Sequence, residues 1–356
     1  MSYDPFARGR HPVGVRTVTL TDETRGQRVL PVEVWYPATA AYAGQDLVEA
    51  TQDTYEVIPG FPIVHQEAVR GAELERGLYP FVAFSHGFGG SRRQSTFLCT
   101  HFASHGYVVA AVDHTGNTMA DVLQLMVSIQ SGGEMPDVKE TLGRYIALRP
   151  ADVRVMIDRV LAGAGDVGQA IDVSRIGMTG HSFGGWTTLM VTAQDRRIRA
   201  ALPLAPAGGA SPLPAGPLQE ALCFDWGRPV PTLYLVADGD SLLPLVGMRE
   251  LLERTPAPRR MAVLERADHM HFCDRVEQVH EMFRLMPPPG DFALVAQSVV
   301  PITELSPGEH GYDFNRGLGL AHFDAHLKRD AEAQQFLNGD ITGAFAARGI
   351  GVALEE

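Results

Sequence analysis

Six apolar stretches in this sequence are short and largely unbroken: Phe81–Phe84, Tyr107–Val112, Arg175–Thr179, Ile198–Leu204, Thr232–Ala237 and Arg260–Leu264. A strand with one wet face alternates apolar and polar residues. Continuous runs of this length instead mark strands buried on both faces, as in a parallel sheet covered by helices. Helical spacing lies between them. Val153, Met156, Ile157 and Val160 share one face, with Pro150 placed to open that helix at its first position, where a missing N–H costs nothing. Leu320, Phe323 and Leu327 mark another helix near the end. Two further strands, Arg16–Leu20 and Val29–Tyr36, flank the polar turn Thr21–Gly26 and predict an antiparallel hairpin. The fold class that follows is α/β, with a mostly parallel central sheet of about eight strands flanked by helices.

No repeat or linker divides the chain, so residues 1–356 are read as one domain. Two stretches break the alternation. Residues 114–149 hold the apolar block Val122–Ile129, and residues 273–315 hold Met286-Pro287-Pro288-Pro289-Gly290. A compact core does not accommodate structureless segments of this length, so both are expected to run over the sheet edge, either as lid-like insertions or pocket walls or as plain surface loops. Loops at the carboxyl end of such a sheet are where sites are built.

Charge excludes some partners. With 30 basic and 42 acidic residues the formal charge is −12, which is no footprint for nucleic acid. No apolar run reaches the ~18 residues of a membrane span. Residues Met1–Arg10 contain no apolar signal core, so a cytoplasmic location is expected; a trimmed secreted protein would present the same sequence. Cys99, Cys223 and Cys273 are too few and too scattered for a disulfide framework or a zinc site.

The segment that carries chemistry is Gly180-His181-Ser182-Phe183-Gly184, followed by Gly185. It directly follows the strand Arg175–Thr179 and opens the helical run Trp186–Gln194. A sharp strand-to-helix turn exposes the Ser182 hydroxyl above the sheet, and glycines on both sides allow strand and helix to approach. The bland alternative is a glycine-rich turn with a capping serine. A second loop, Ser85-His86-Gly87-Phe88-Gly89-Gly90, follows Phe81–Phe84. Acyl transfer develops an oxyanion, and two backbone N–H groups must already face it. Here they are read as Phe183, next after the serine, and Phe88 in this second loop.

A serine nucleophile needs a base and the base an orienting acid, in the chain order Ser, Asp or Glu, His. Beyond the strand Thr232–Ala237 lies Asp238-Gly239-Asp240-Ser241. Asp240 sits deeper in the loop and is preferred; Asp238 is the competitor and Asp225 a distant third. Beyond Arg260–Leu264 come His269 and His271, of which His269 is nearer the strand end and His271 is read as a packing or hydrogen-bonding residue. A metal reading of this pair lacks a third spaced ligand. His322 with His326, and His101 with His105, are read as packed or solvated helix faces. His86 and His181 are read as structural hydrogen-bonding residues beside the site. Phe88 and Trp186 are expected to offer aromatic surface to substrate.

These segments resemble the α/β-hydrolase superfamily, and within it the group of platelet-activating-factor acetylhydrolases, dienelactone hydrolases and cutinase-like polyester hydrolases. The resemblance rests on Val34-Trp35-Tyr36-Pro37, the Phe84–Ser91 loop, Ala103–Val109, the Gly180–Gly185 elbow, Pro231-Thr232-Leu233 and Asp238–Pro244. It spans about Val32 to Leu327. The amino-terminal half and the elbow look most like the acetylhydrolases. The acid loop looks more like the cutinase-like enzymes, whose acid matches Asp240 and whose histidine matches His269. The acetylhydrolase acid position falls on Pro203. The resemblance implies a serine carboxylic-ester hydrolase, without metal or organic cofactor, acting on neutral short- to medium-chain esters, with aromatic and polyester substrates in scope. Alternatives are a phospholipase of the acetylhydrolase type, a thioesterase, or a catalytically silent binding protein on the same fold.

Overall fold

The computed structural model describes residues 3–57, 60, 62–214 and 216–356. The hairpin is built by β1 (Val13–Asp22) and β2 (Arg28–Pro37), paired antiparallel along their whole length. After the small strands β3 (Asp53–Glu56), β4 (Ile63–Gln66) and β5 (Val69–Arg70) come the central strands. These are β6 (Tyr79–Ser85), β7 (Val108–Val112), β8 (Ile171–His181), β9 (Ile198–Leu204), β10 (Thr232–Ala237) and β11 (Arg259–Leu264). A last strand, β12 (Val352–Glu355), pairs antiparallel with β11. Among the described residues the main sheet has ten strands in the order β12-β11-β10-β9-β8-β6-β7-β2-β1-β5, while β3 and β4 pair apart from it. All eight expected strands are present, and β6 to β11 run parallel. The two additions, β5 and β12, are short edge pieces without a buried apolar run to announce them.

Eleven α-helices accompany the sheet among the described residues. They are α1 (Thr96–Ser104), α2 (Met119–Gln130), α3 (Val138–Leu161), α4 (Phe183–Gln194), α5 (Gly216–Ala221), α6 (Leu245–Arg254), α7 (Val276–Leu285), α8 (Asp291–Ala296), α9 (Gly308–Phe323), α10 (Ala331–Asn338) and α11 (Ile341–Ala346). Side chains of successive strand residues leave on opposite faces. Val82 and Phe84 therefore join α1 and α9 in one core, through Leu98, Phe102, Phe314 and Phe323. Phe81 and Ala83 join α3 in the other, through Val153, Met156, Ile157 and Val160. No helix of the described residues is long and apolar enough to cross a membrane.

Pro150 does not open a helix; it lies inside α3. An interior proline costs about 3 kcal/mol or more in an isolated helix. Here tertiary contacts on either side outweigh that cost. Tyr145 Oη bonds the Gly116 carbonyl at 2.7 Å, Arg149 is fully buried among four acceptors, and Val153 onward packs on the sheet. The stretch 114–149 is thus largely helical, made of α2 and the first half of α3. The stretch 273–315 likewise carries α7, α8 and the start of α9. The three cysteines are free thiols, Cys99 and Cys273 buried and Cys223 exposed.

Candidate active site

β8 ends at His181 and α4 begins at Phe183, leaving Ser182 alone at the turn with φ 59° and ψ −117°. Positive φ is strained for a side chain with a Cβ. The conformation is held from outside: Ser182 N–H donates to the Leu204 carbonyl at 2.8 Å, and its own carbonyl accepts from Ala207 N–H at 3.0 Å. The flanking glycines are steric requirements. A Cβ on Gly184 would lie 1.8 Å from the Ser85 carbonyl oxygen, and one on Gly180 would lie 2.5 Å from the same atom. The Ser182 hydroxyl caps no N–H of α4, which removes the capping-serine alternative.

The loop after β6 is pressed against this turn. A Cβ on Gly87 would sit 3.4 Å from the Ser182 Cβ. Gln94 ties the two together: its Oε1 accepts from Gly87 N–H at 2.8 Å and its Nε2 donates to His181 Nδ1 at 2.9 Å. Phe183 N–H is the first of its helix and has no intrahelical acceptor. Phe88 N–H finds no acceptor among the described residues. Phe183 N–H thus adjoins Ser182 in the chain, and Phe88 N–H lies one residue beyond Gly87 in the loop pressed against it.

The loops after β10 and β11 bring the other two groups. Asp240 is buried; its Oδ1 accepts from Leu242 N–H at 2.9 Å and Leu243 N–H at 2.8 Å, and its Oδ2 lies 2.7 Å from His269 Nδ1. Asp238 is exposed and, among the described residues, accepts only from Ala267 N–H at 3.2 Å. Asp225 is exposed as well. His269 lies over the elbow, its ring centroid 4.5 Å from that of His181. No Ser182–His269 hydrogen bond is formed among the described residues; such bonds commonly tighten only with substrate in place.

His271, His181, His86, His101 and His105 are held by structural hydrogen bonds. His271 has partners of its own: its Nδ1 accepts from Asp268 N–H at 3.0 Å and its Nε2 donates to the Ser306 carbonyl at 2.9 Å. His181 is pushed well below the usual imidazole range by burial and then by the charge of His269, so it is neutral. His86 is also driven down by burial and by Arg149; its Nδ1–H donates to the Gly87 carbonyl and its Nε2 accepts from His114 N–H. His101 and His105 bond the Pro5 and Ala7 carbonyls and strap the amino-terminal segment onto α1. His322 is buried, which lowers it to about 3, and it packs against His326.

A second serine–histidine–aspartate line passes unnoticed in the sequence. Ser85 Oγ lies 2.9 Å from His114 Nε2, and His114 Nδ1 lies 3.1 Å from Asp152 Oδ2. All three are buried, with exposures of 0–1%, and burial brings His114 down to about 4. This line has no access for a substrate; it braces β6 and α3.

Aromatic rings wall the mouth. Phe88 is 36% exposed, stacks on Phe292 at 5.6 Å and meets the edge of Tyr145 at 6.3 Å. Tyr145 comes from the first insertion and Phe292 from the second. The expectation for Trp186 is corrected. It is fully buried, its indole N–H donating to the Leu218 carbonyl at 2.9 Å, and it packs α4 against α5. Its bulk is spent in the core and offers no surface to a ligand. Gln94 carries no signal in the sequence, because a lone polar residue in a loop has no spacing to mark it.

The arrangement has the parts for nucleophilic acyl transfer: a hydroxyl on a strained turn, an imidazole held by a carboxylate, and two unpaired N–H groups. The family model described as platelet-activating factor acetylhydrolase, isoform II, matches residues 5–138. Cutinase est1 of Thermobifida alba is 28% identical over 205 residues, 57% of this chain and 56% of that protein. The platelet-activating factor acetylhydrolase of Canis lupus familiaris is 29% identical over 153 residues, 35% of this chain and 34% of that one. The chain thus spans little more than half the length of the cutinase it matches. Among solved structures, a ferulic acid esterase from Streptomyces cinnamoneus superposes with a TM-score of 0.63 at 27% identity, covering 91% of this chain and 93% of the other.

Proposed function

We propose that the chain, which is similar to α/β-hydrolases of the group that includes the platelet-activating-factor acetylhydrolases and the cutinases, is a carboxylic-ester hydrolase working through an acyl-enzyme on Ser182. His269 takes the Ser182 proton as the hydroxyl adds to the ester carbonyl. Asp240 holds the ring in the tautomer that leaves Nε2 free and stabilises the imidazolium. The Phe88 and Phe183 N–H groups bind the oxyanion. His269 returns the proton to the leaving alcohol, and water activated by the same ring cleaves the acyl-enzyme.

One observation carries the reading: the buried Asp240–His269 pair, 2.7 Å apart, lies beside a serine held at positive φ. The aromatic wall of Phe88, Tyr145 and Phe292 favours neutral esters with short to medium or aromatic acyl groups, and the ferulic acid esterase neighbour supports an aromatic acid among them. The net charge of −12 disfavours anionic substrates. The two insertions act as pocket walls. The test is turnover of p-nitrophenyl esters of graded chain length and of methyl ferulate by wild type and Ser182→Ala. Activity retained by Ser182→Ala refutes the assignment.

A further inference from the structure

Arg149 is a charged side chain with no exposure, and among the described residues no carboxylate lies within ion-pair distance of it. Asp152, one turn further along α3, is taken by Arg25 and Arg28. The Arg149 guanidinium instead meets only neutral oxygens. It donates to the Thr187 hydroxyl at 3.2 Å, to the Asn117 side-chain carbonyl, to Ser85 Oγ at 3.3 Å and to the His86 backbone carbonyl. Its carbon centre lies 4.5 Å from the centroid of the Phe183 ring. A buried cation without a counter-ion is costly for stability, so this arrangement calls for a role beyond packing.

Its neighbours supply one. His86 is two residues before Phe88, and its carbonyl belongs to the peptide that leads into the loop. Phe183 is the residue after Ser182. The guanidinium therefore contacts both segments that carry the free N–H donors, from the side away from solvent. We propose that Arg149 is a positioning residue for the oxyanion site: it clamps the His86–Gly87 peptide so that Phe88 N–H stays aimed at Ser182, and its unpaired charge supplies a positive field where negative charge develops. Such a field acts in a water-poor interior, where it is weakly screened and needs no reorganisation during the reaction. Burial lowers the guanidinium to about 9, which leaves it charged at neutral pH.

This inference rests on the assignment of Ser182 as nucleophile. Arg149→Met removes clamp and charge, Arg149→Lys keeps the charge, and Asn117→Asp leaves the clamp while placing a counter-ion beside it. Each is assayed on p-nitrophenyl butyrate and for inhibition by phenylboronic acid, which forms a tetrahedral adduct on a serine. Thermal unfolding is followed in parallel. Misplacing a donor by about an ångström costs on the order of 100-fold. Expected are a ~10–100-fold fall in kcat for Arg149→Met with KM within about threefold, partial recovery in Arg149→Lys and a ~10-fold fall in Asn117→Asp. Boronate affinity should fall in step with kcat/KM. A merely structural role would lower the unfolding temperature and leave these ratios unmoved. Folded Arg149→Met with wild-type kcat and boronate affinity overturns the proposal, as does a loss confined to KM. Should Arg149→Met not fold, wild-type kcat in Asn117→Asp overturns it alone. Inert Ser182→Ala beside unaffected Arg149 variants sinks this inference only; active Ser182→Ala sinks the reading beneath it.

Discussion

Replacing Asp240 by asparagine changes few atoms and separates orientation from architecture. In the native site Oδ1 already accepts two backbone N–H groups, from Leu242 and Leu243, and Oδ2 receives His269 Nδ1–H at 2.7 Å. An asparagine keeps the first oxygen and its two bonds. Its amide group then faces Nδ1 and donates to it, which forces the ring proton onto Nε2. The nitrogen facing Ser182 becomes a donor, and the base is lost while the fold stands. The same change in a serine protease lowers kcat by about 10⁴, equivalent to about 5.5 kcal/mol of barrier at 1.36 kcal/mol per tenfold. Stability falls by only about 1 kcal/mol, the difference between a charge-assisted and a neutral hydrogen bond. Asp240→Ala behaves differently, because it strands two buried N–H groups at about 1–3 kcal/mol each. Asp238→Asn, at an exposed position with one backbone bond at 3.2 Å, leaves kcat within about twofold. The assay is kcat on p-nitrophenyl butyrate at pH 7.5 with thermal melts of each variant. An Asp240→Asn enzyme retaining a tenth of its kcat, or equal losses at 238 and 240, refutes the reasoning.

Three other outcomes follow from the same geometry. Gly184→Ala places a methyl 1.8 Å from the Ser85 carbonyl oxygen, so the variant is expected to lose its cooperative melt, whereas Gly87→Ala, meeting atoms at 3.3–3.4 Å, keeps it. Trp186→Ala costs about 3–5 kcal/mol in unfolding by denaturant and Trp186→Phe leaves KM unchanged; a large rise in KM with Trp186→Phe would return that ring to the pocket. His280 has Nδ1 2.6 Å from Asp268 Oδ2 and Nε2 2.9 Å from the Val300 carbonyl, so both nitrogens face acceptors. Burial opposes the charge there, but the bond to Asp268 and its field prevail and raise the imidazole above 6.5. The resulting stabilisation is complete below the unfolded pKa of about 6.5 and is lost as pH rises through the higher folded value. His280→Gln should flatten the stability profile above pH 6.5, and an unchanged slope would disprove the doubly bonded imidazolium.

What the chain disclosed of itself depended on how densely each feature was encoded. Ile198–Leu204 and Thr232–Ala237 are strands with those bounds, because an unbroken apolar run bounded by polar residues has few other uses. β12 was invisible, since Val352–Glu355 is a half-exposed edge piece whose pairing with β11 is decided across the fold. Pro150 misled for a related reason: local chemistry ends a helix there, and contacts made by Tyr145 and Arg149 with distant residues continue it. At the site, their places after strand ends drew attention to Asp240 and His269, which the fold brings within 2.7 Å of each other. Gln94, which ties the two loops, and Ser85–His114–Asp152, which repeats the same residue types in the core, emerged only once distance and burial were known. Trp186 shows the converse: an aromatic residue four positions after Ser182 need not see the solvent at all.

The continuity of α3 has a mechanical consequence. Its first half brings Tyr145 to Phe88 and Phe183 and packs Leu142 and Ile146 against the core around Trp186, and its second half is wedged against the sheet by Val153, Met156, Ile157 and Val160. One rod is both rafter and door-post. The mouth cannot swing at that junction without prying a core helix loose, so the exposed positions of the near half can vary and reshape the entrance while Tyr145, Arg149 and the far half keep it in register with Ser182.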